Sequence, residues 1–256
     1  MHDMPRGGFD LVDRRLFIPD TIWELENDGY LAPVHRQDNP DLWEALVSAD
    51  EPVITQVDDF LSDGVRAGRL TSSSSAPWLM ARMLGALDLE PGMAVLEIGT
   101  GTGWNAALLA AAGAIVTTVE IDEHLADHAR LALSRAGYPD VAVVCGDGEL
   151  GVPERAPYDR VIATAAVHTV PYPWVEQTAD GGLLVLPYTG PHHPSGLAVL
   201  SVRAGRASGR IVDDNAGFMP LQGQRLSARE LDEIGQPSPV VLIEVGPHGQ
   251  RVRSTI

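Results

Sequence analysis

The stretch Val95-Leu-Glu-Ile-Gly-Thr-Gly-Thr-Gly-Trp-Asn-Ala-Ala-Leu-Leu109 decides the fold class of this chain. Apolar residues typical of a buried strand lead into Gly99, Gly101 and Gly103, and small apolar residues typical of a helix follow. Glycine permits a tight turn and lets a ligand approach the backbone. We therefore expect the first strand of a parallel sheet, with a ligand site at its carboxyl end.

The spacing of these glycines argues against two common ligands. A dinucleotide fingerprint needs a third glycine at position 104, where the chain has Trp104. A phosphate-binding loop needs a lysine, and the chain contains none. The loop therefore suits a nucleoside without a pyrophosphate, of which S-adenosylmethionine is the common example.

Acidic residues at the ends of consecutive predicted strands support a nucleoside site. Glu120, at the end of the second strand, is placed to accept hydrogen bonds from ribose hydroxyls. Asp147 follows the third strand and could accept from an adenine amino group. Each acid alone could also be a turn residue at a strand end. The candidate cofactor-binding residues are Glu97, Gly99, Thr100, Gly101, Gly103, Glu120, Ile121, Asp147, Gly148 and Thr164.

Strands and helices alternate through the middle of the chain. Helices are predicted over 77–87, 103–112, 122–136 and near 173–179, and strands over 94–98, 115–120, 141–145, 159–163, 183–187, 196–203 and 210–218. This alternation predicts an α/β protein with a doubly wound, mostly parallel, Rossmann-like sheet.

Three regions are expected along the chain. Residues 1–70 form an N-terminal cap, 71–221 the ligand-binding core, and 222–256 a C-terminal extension packed on the core. Residues 20–60 read as irregular, and the extension as an acidic helix over 228–234 followed by a strand. Both ends are interpreted as caps on the carboxyl edge of the sheet. Alternatively, the N-terminal element only packs on the core.

Composition narrows the choice of partners. The chain has 256 residues and a net charge of −17, so nucleic acid and anionic membranes would repel it. An acidic substrate would therefore need a pocket with local positive charge or hydrogen-bond donors. The single cysteine, Cys145, is expected to be a buried, inert thiol in a reducing cytoplasm. We expect no membrane span and no metal site, an exposed loop at His192–His193, and a monomer.

Five short motifs resemble, in order, those of the protein-L-isoaspartate O-methyltransferases. They are Leu16-Phe-Ile-Pro-Asp20, Ser74-Ser-Ala-Pro77, Gly146-Asp-Gly148, Thr164-Ala-Ala166 and Phe218-Met-Pro-Leu221. The resemblance implies a class I methyltransferase whose last two strands are exchanged. It also implies methyl transfer from S-adenosylmethionine to a side-chain carboxylate in a peptide, with S-adenosylhomocysteine as product.

The resemblance assigns Ser75 to the catalytic site, where the family serine contacts the substrate carboxylate. A helix cap before Pro77 is the alternative role. An aspartate-type carboxylate is ionised at neutral pH, so the reaction needs no general base. The candidate substrate-binding residues are Ser74, Ser75, Ala76, Val57 and His168. His168 could equally be an ordinary loop residue.

About fifty residues, Thr21 to Leu70, separate the first two motifs. This insertion carries Trp23, Tyr30 and Trp43, and it resembles the branch encoded beside lanthipeptides, graspetides and lasso peptides. We therefore consider three hypotheses. The enzyme methylates an aspartate in a constrained ribosomal peptide, leading to aspartimide; or it is a general isoaspartate repair enzyme; or it is a non-catalytic module that binds cofactor and peptide.

Overall fold

The computed structural model describes residues 12–60, 67–190, 193–225 and 240–255. Its N-terminal part contains five elements: β1 (Thr21–Leu25), β2 (Leu31–His35), α1 (Pro40–Ser48), β3 (Val53–Phe60) and β4 (Ala67–Ser74). The four strands close into a barrel in the order β1-β2-β4-β3. The prediction that residues 20–60 are irregular is therefore wrong.

A small apolar cluster joins α1 to the barrel strands. It contains Ile22 of β1, Val34 of β2, and Trp43 and Val47 of α1, and Trp43 is fully buried. The indole N–H of Trp43 donates to the carbonyl of Pro19 at 3.2 Å. Trp43 therefore stabilises the barrel and does not reach toward a substrate.

The remaining elements build a nine-stranded sheet and its helices. They are α2 (Pro77–Leu87), β5 (Ala94–Ile98), α3 (Trp104–Ala111), β6 (Ile115–Glu120), α4 (Glu123–Arg135), β7 (Ala142–Cys145), β8 (Tyr158–Ala163), α5 (Tyr172–Glu176), β9 (Thr178–Gly190), β10 (His193–Arg203), β11 (Arg206–Asp213), β12 (Val240–Gly246) and β13 (Gly249–Thr255). The sheet order is β13-β12-β11-β10-β9-β8-β5-β6-β7. Strands β5 to β9 are parallel and β10 to β13 antiparallel. The predicted fold class is confirmed.

Alternating apolar residues bury both faces of the sheet. On β5, Val95 packs in the core that contains α2 and α3, whereas its neighbour Leu96 packs in the core that contains α5. On β9, Val185 packs in the core that contains α2 and α3, and Leu184 packs in the core that contains α5. Two faces covered by helices are what a mainly parallel sheet requires.

The strand order places the ligand site. From β5 the chain moves outward to β6 and β7, and it returns to β8 on the other side of β5. The loop after β5 therefore lies at a topological switch point, where open α/β sheets bind ligands. The glycines of this loop allow the turn, since Gly99 and Gly103 have φ of 90° and 87°.

The C-terminal strands β12 and β13 extend the sheet sideways and do not cap its carboxyl edge, so the cap prediction is wrong for these two strands. β12 pairs with the free edge of β11, with Ala207 opposite Val245, and β13 pairs with β12. Val241 and Ile243 are buried on the α5 side, so the apolar run of β12 completes a core. The helix predicted over 228–234 lies outside the described residues.

Two further findings concern single elements. Cys145 is exposed, so the prediction of a buried thiol is wrong. It ends β7, the edge strand, where neighbours lie on one side only. Among the described residues, every helix is too short or too polar to cross a membrane.

Candidate active site

A cavity of about 730 Å³ opens at the carboxyl ends of β5, β6 and β8, between the sheet and the barrel. It brings together most of the residues that the sequence nominated. Its walls include Ser74, Ser75, Ala76, Glu97, Gly99, Thr100, Gly101, Glu120, Ile121, Asp147, Gly148 and Thr164. Three nominated residues, Val57, Gly103 and His168, lie outside its lining.

Glu97 is the least solvated acid of the cavity. One carboxylate oxygen accepts a hydrogen bond from the Asn105 amide at 2.7 Å, while Oε2 is buried without a partner. Burial raises the pKa of this carboxyl to about 7. An unpartnered buried oxygen is costly unless a donor reaches it. A ligand ammonium would be such a donor.

Glu120 is fixed at the end of β6 by the glycine loop. The Gly101 N–H donates to Oε2 at 2.8 Å, and the Asp122 N–H donates to Oε1 at 3.2 Å. Burial raises the pKa of Glu120, although these backbone donors favour its charged form. The carboxylate is thus held in place with acceptor positions left for ribose hydroxyls.

Two glycines serve close packing. A Cβ on Gly103 would lie 3.3 Å from the Ala129 Cβ, so this glycine lets α3 approach α4, and it lies outside the cavity lining although it was expected to contact the cofactor. A Cβ on Gly148 would lie 2.7 Å from the Ile98 side chain. The Trp174 indole N–H donates to the Gly148 carbonyl at 2.8 Å and so fixes the turn after Asp147.

Ser74 and Ser75 reach the cavity from the barrel. Ser74 ends β4, and Ser75 follows it before α2. The N-cap of α2 is Ala76, and no side chain makes a capping hydrogen bond there. The helix-cap alternative for Ser75 therefore finds no support. The barrel is also tied directly to the start of α4, because the Gln56 amide donates to the Asp122 carboxylate at 3.0 Å.

The other two predicted substrate contacts are not part of the cavity lining. Val57 pairs with Leu70 inside the barrel sheet. The His168 N–H donates to the Gln224 side chain at 3.0 Å, and its ring contacts Thr169. His168 therefore has the loop role that was the alternative.

The aromatic residues of the cavity are not those of the insertion. Trp78, Trp104 and Phe218 line it, whereas Trp23, Tyr30 and Trp43 do not. All three lining residues belong to regions with sequence signals, since Trp78 follows the Ser-Ala-Pro motif, Trp104 follows the glycine loop and Phe218 opens the last motif. Position next to a motif would have identified them.

The charge of the cavity favours a cationic ligand. Its acidic residues are Glu51, Glu97, Glu120, Asp147 and Glu149. Arg225 is the one basic residue in the lining formed by the described part of the chain. S-adenosylmethionine, with a sulfonium and an ammonium against one carboxylate, fits this charge, and Ile121 offers an apolar surface beside Glu120. Between residues 12 and 255, leaving out the undescribed segments, no acid, His or Cys cluster suited to a metal occurs.

Known proteins share this fold. A protein-L-isoaspartate O-methyltransferase structure aligns over 83% of this chain and 77% of its own, with a TM-score of 0.61 and 25% identity. A Plasmodium falciparum structure, described as such an enzyme in complex with S-adenosyl-L-homocysteine, aligns over 84% and 88% with a TM-score of 0.59. Its identity is 16%, so it shows the fold alone. The fold is that of the class I methyltransferases that use S-adenosylmethionine.

Sequence comparison narrows the class. Residues 59–224 match the protein-L-isoaspartate(D-aspartate) O-methyltransferase family. The Koribacter versatilis enzyme of that name is 40% identical over 156 residues, which cover 61% of this chain and 69% of that protein. The Pyrococcus horikoshii enzyme is 43% identical over 155 residues, which cover 59% and 69%. The chain therefore belongs to the protein-L-isoaspartate O-methyltransferases, a family of protein carboxyl methyltransferases that use S-adenosylmethionine.

Proposed function

We propose that the protein methylates the carboxylate of isoaspartyl residues in proteins or peptides. One observation carries the proposal: Ser74 and Ser75 share a single cavity with the glycine loop and Glu120. A carboxylate held at the serines would therefore lie in the same space as the methyl donor. The names of the relatives point to the same substrate.

The cavity offers an acceptor for each hydrogen-bond donor group of S-adenosylmethionine. In this proposal Glu97 accepts from the ammonium, Glu120 from the ribose hydroxyls and Asp147 from the adenine amino group. S-adenosylmethionine supplies an electrophilic methyl group when bound. Glu97 and Glu120 orient the donor, and the barrel strands β3 and β4 exclude water from its nucleoside side.

The reaction needs little from the protein beyond position. A carboxylate oxygen forms a bond to the methyl carbon, the carbon–sulfur bond breaks, and its electron pair stays on sulfur, so no proton moves. Ser75 would donate its hydroxyl hydrogen to the carboxylate oxygen that does not attack. Holding two reactants in line removes much of the entropic cost of their encounter.

Replacing Ser75 by alanine tests this role. We expect kcat/KM for an isoaspartyl peptide to fall about 10- to 150-fold, the effect of one lost hydrogen bond to a charged group. S-adenosylmethionine affinity, measured by calorimetry, should be unchanged. Ser134→Ala, on the exposed face of α4, is the matched control. Wild-type kinetics in Ser75→Ala would remove Ser75 from the mechanism.

A second candidate is tailoring of a constrained ribosomal peptide, with aspartimide as the product. It is favoured by the structured barrel of β1 to β4, because residues 1–58 precede the family match and the barrel contributes Ile54, Leu70 and Thr71 to the cavity wall. A rigid wall suits a substrate that is already folded. The aromatic residues of the insertion give no support, since they lie elsewhere.

One mass-spectrometric assay separates the candidates. The enzyme and S-adenosylmethionine are mixed either with a linear isoaspartyl peptide or with a macrocyclic aspartyl peptide encoded nearby. Methylation of the linear peptide supports repair. A methyl gain followed by an imide mass, found with the macrocycle alone, supports tailoring. Transfer to either peptide rules out a non-catalytic module.

We also infer the functional division of the chain. The barrel, the core and the C-terminal hairpin act as three units, as expected from sequence. β4 continues to Ser74, so the barrel crosses the expected boundary at residue 70 and carries the serines itself. A monomer remains the expected state.

A further inference from the structure

We propose that Arg14 provides the positive charge that holds the substrate carboxylate at Ser75, acting from behind the serine strand without touching the substrate. Arg14 would then be a positioning residue for the reaction. The inference rests on the proposed function, because it assumes a carboxylate substrate at Ser75.

The guanidinium of Arg14 lies directly behind the two serines. Nη2 donates to the carbonyl oxygens of Ser74 at 2.8 Å and Ser75 at 2.9 Å, and Nε donates to the Ser74 hydroxyl at 3.1 Å. Arg14 is 7% exposed, so water screens these contacts little. The geometry of both serines therefore depends on one buried side chain.

The charge of Arg14 is not neutralised by a direct partner among the described residues. Its remaining nitrogen, Nη1, donates to the carbonyls of Val47, Ala49 and Glu51 at 3.0 to 3.4 Å, which are neutral acceptors. None of the ion pairs between described residues includes Arg14.

Asp50 is the acid whose charge acts on Arg14, but its carboxylate accepts a hydrogen bond from the backbone N–H of Trp78 instead. Burial lowers the pKa of Arg14 to about 10, so the side chain remains charged at neutral pH.

A buried cation without a hydrogen-bonded counter-ion destabilises a fold, and an anion that approaches it is attracted strongly. The cavity in front of the serines needs such a cation. Five acids line it, so a substrate carboxylate would meet repulsion everywhere except beside Arg225 and the serines. Arg14 supplies attraction at the serines.

The indirect position suits the chemistry. Methyl transfer neutralises the carboxylate, so a cation in direct contact would stabilise the bound substrate more than the transition state and slow the step. A cation one residue behind attracts the carboxylate more weakly. We therefore expect loss of the charge to raise KM more than it lowers kcat.

The test uses the full-length protein and the variants Arg14→Gln and Arg14→Lys. Arg15→Gln is the matched control, because Arg15 is exposed and paired with Asp13 and Glu44. Calorimetry with S-adenosylhomocysteine present measures the affinity of an isoaspartyl peptide and of the same peptide with that carboxylate as a carboxamide. The ratio of the two affinities reports charge, because the peptides have the same shape.

We expect wild type, Arg15→Gln and Arg14→Lys to favour the carboxylate peptide. In Arg14→Gln the ratio of the two affinities should be about tenfold lower. An unchanged ratio in Arg14→Gln would overturn the inference. If Arg14→Gln fails to bind S-adenosylhomocysteine, the Arg14→Lys variant becomes the test. Because lysine keeps the positive charge, loss of the preference for the carboxylate peptide in this variant would contradict a role for charge. Absence of turnover by the wild type would instead refute the proposed function.

Discussion

At the level of single residues, the proposed contact between Glu97 and a ligand ammonium would couple ligand binding to protonation. Oε2 of Glu97 is buried without a partner, and burial raises the pKa of this carboxyl to about 7. Near neutral pH the free protein therefore holds a proton on Glu97 in part of the molecules. An ammonium donor favours the charged form, so we expect binding of S-adenosylmethionine to release that proton.

This coupling predicts weaker binding in acid. Affinity for S-adenosylmethionine should fall about eightfold from pH 7.5 to pH 6, since a growing fraction of Glu97 must first lose a proton. Calorimetry in two buffers of different ionisation enthalpy measures the affinity and the proton released. Glu97→Gln should bind more weakly and lose this dependence, while the exposed control Glu90→Gln should retain it. An affinity of wild type that is independent of pH would contradict the prediction.

The same carboxyl shapes the stability of the ligand-free protein. Between about pH 4.5 and 7 the unfolded chain ionises at this position before the folded chain does, so stability falls as pH rises. A pKa raised from 4.5 to about 7 corresponds to about 3 kcal/mol. Glu97→Gln should therefore unfold at a higher temperature than wild type at pH 8 and show little difference at pH 4.5. A less stable variant at pH 8 would contradict this assignment.

Residues that act through their neighbours in sequence could be predicted, and residues that act across the fold could not. Gly99 and Gly101 lie in the loop that they shape, and Glu120 ends the next strand. Arg14 reaches Ser74 over 60 positions, and its role depends on the barrel that joins them. The type of contact is also hidden in sequence, since Gly103 packs against α4 while its neighbours line the cavity.

Among the elements, the C-terminal hairpin braces the loop that follows β8. The Gln250 side chain on β13 accepts from the Val170 N–H at 2.8 Å and donates to the His168 carbonyl at 3.0 Å. Gln224 holds the same loop from the other side, accepting from the N–H groups of His168 and Thr169. The hairpin thus stabilises a loop near the cavity although it lies at the edge of the sheet.

Removing this brace should loosen the loop. Gln250→Ala leaves two partly buried backbone groups without partners, which should cost about 1–3 kcal/mol and speed amide exchange at Val170. Denaturant unfolding and hydrogen exchange measure the two effects. Arg253→Ala, which breaks an exposed ion pair with Glu244 on the same hairpin, should change stability by less than about 1 kcal/mol. Equal effects of both variants would show that Gln250 has no special role.

The elements differ in how well sequence predicts them. α2 and β5 agree with their predicted bounds because each has a clear apolar face or an apolar run. The barrel strands do not, since β1 buries Ile22 and leaves Glu24 and Leu25 exposed, so alternation is weak. The strand β12 could be predicted from its apolar run, but its pairing with β11 could not. That pairing depends on which edge of the sheet is free, which is a property of the whole fold.

For the whole molecule, charge acts on folding and on ligand choice together. The net charge is −17, and the cavity lining carries five acids against Arg225. Like charges repel in the compact state, and the negative potential concentrates cations in a cleft. S-adenosylmethionine carries one positive charge more than S-adenosylhomocysteine, so the protein should favour substrate over product by charge as well as by contact.

Salt should weaken this preference, because ions screen charges beyond about 10 Å at 0.1 M. Raising sodium chloride from 20 mM to 500 mM should lower the ratio of the two affinities about two- to fivefold. The unfolding temperature of the free protein should rise over the same range of salt concentration, because the salt screens repulsion between like charges. Calorimetry with both ligands isolates the charge term, since they share the nucleoside. A constant ratio would show that contacts within the cavity alone, such as that of Glu97, set the discrimination.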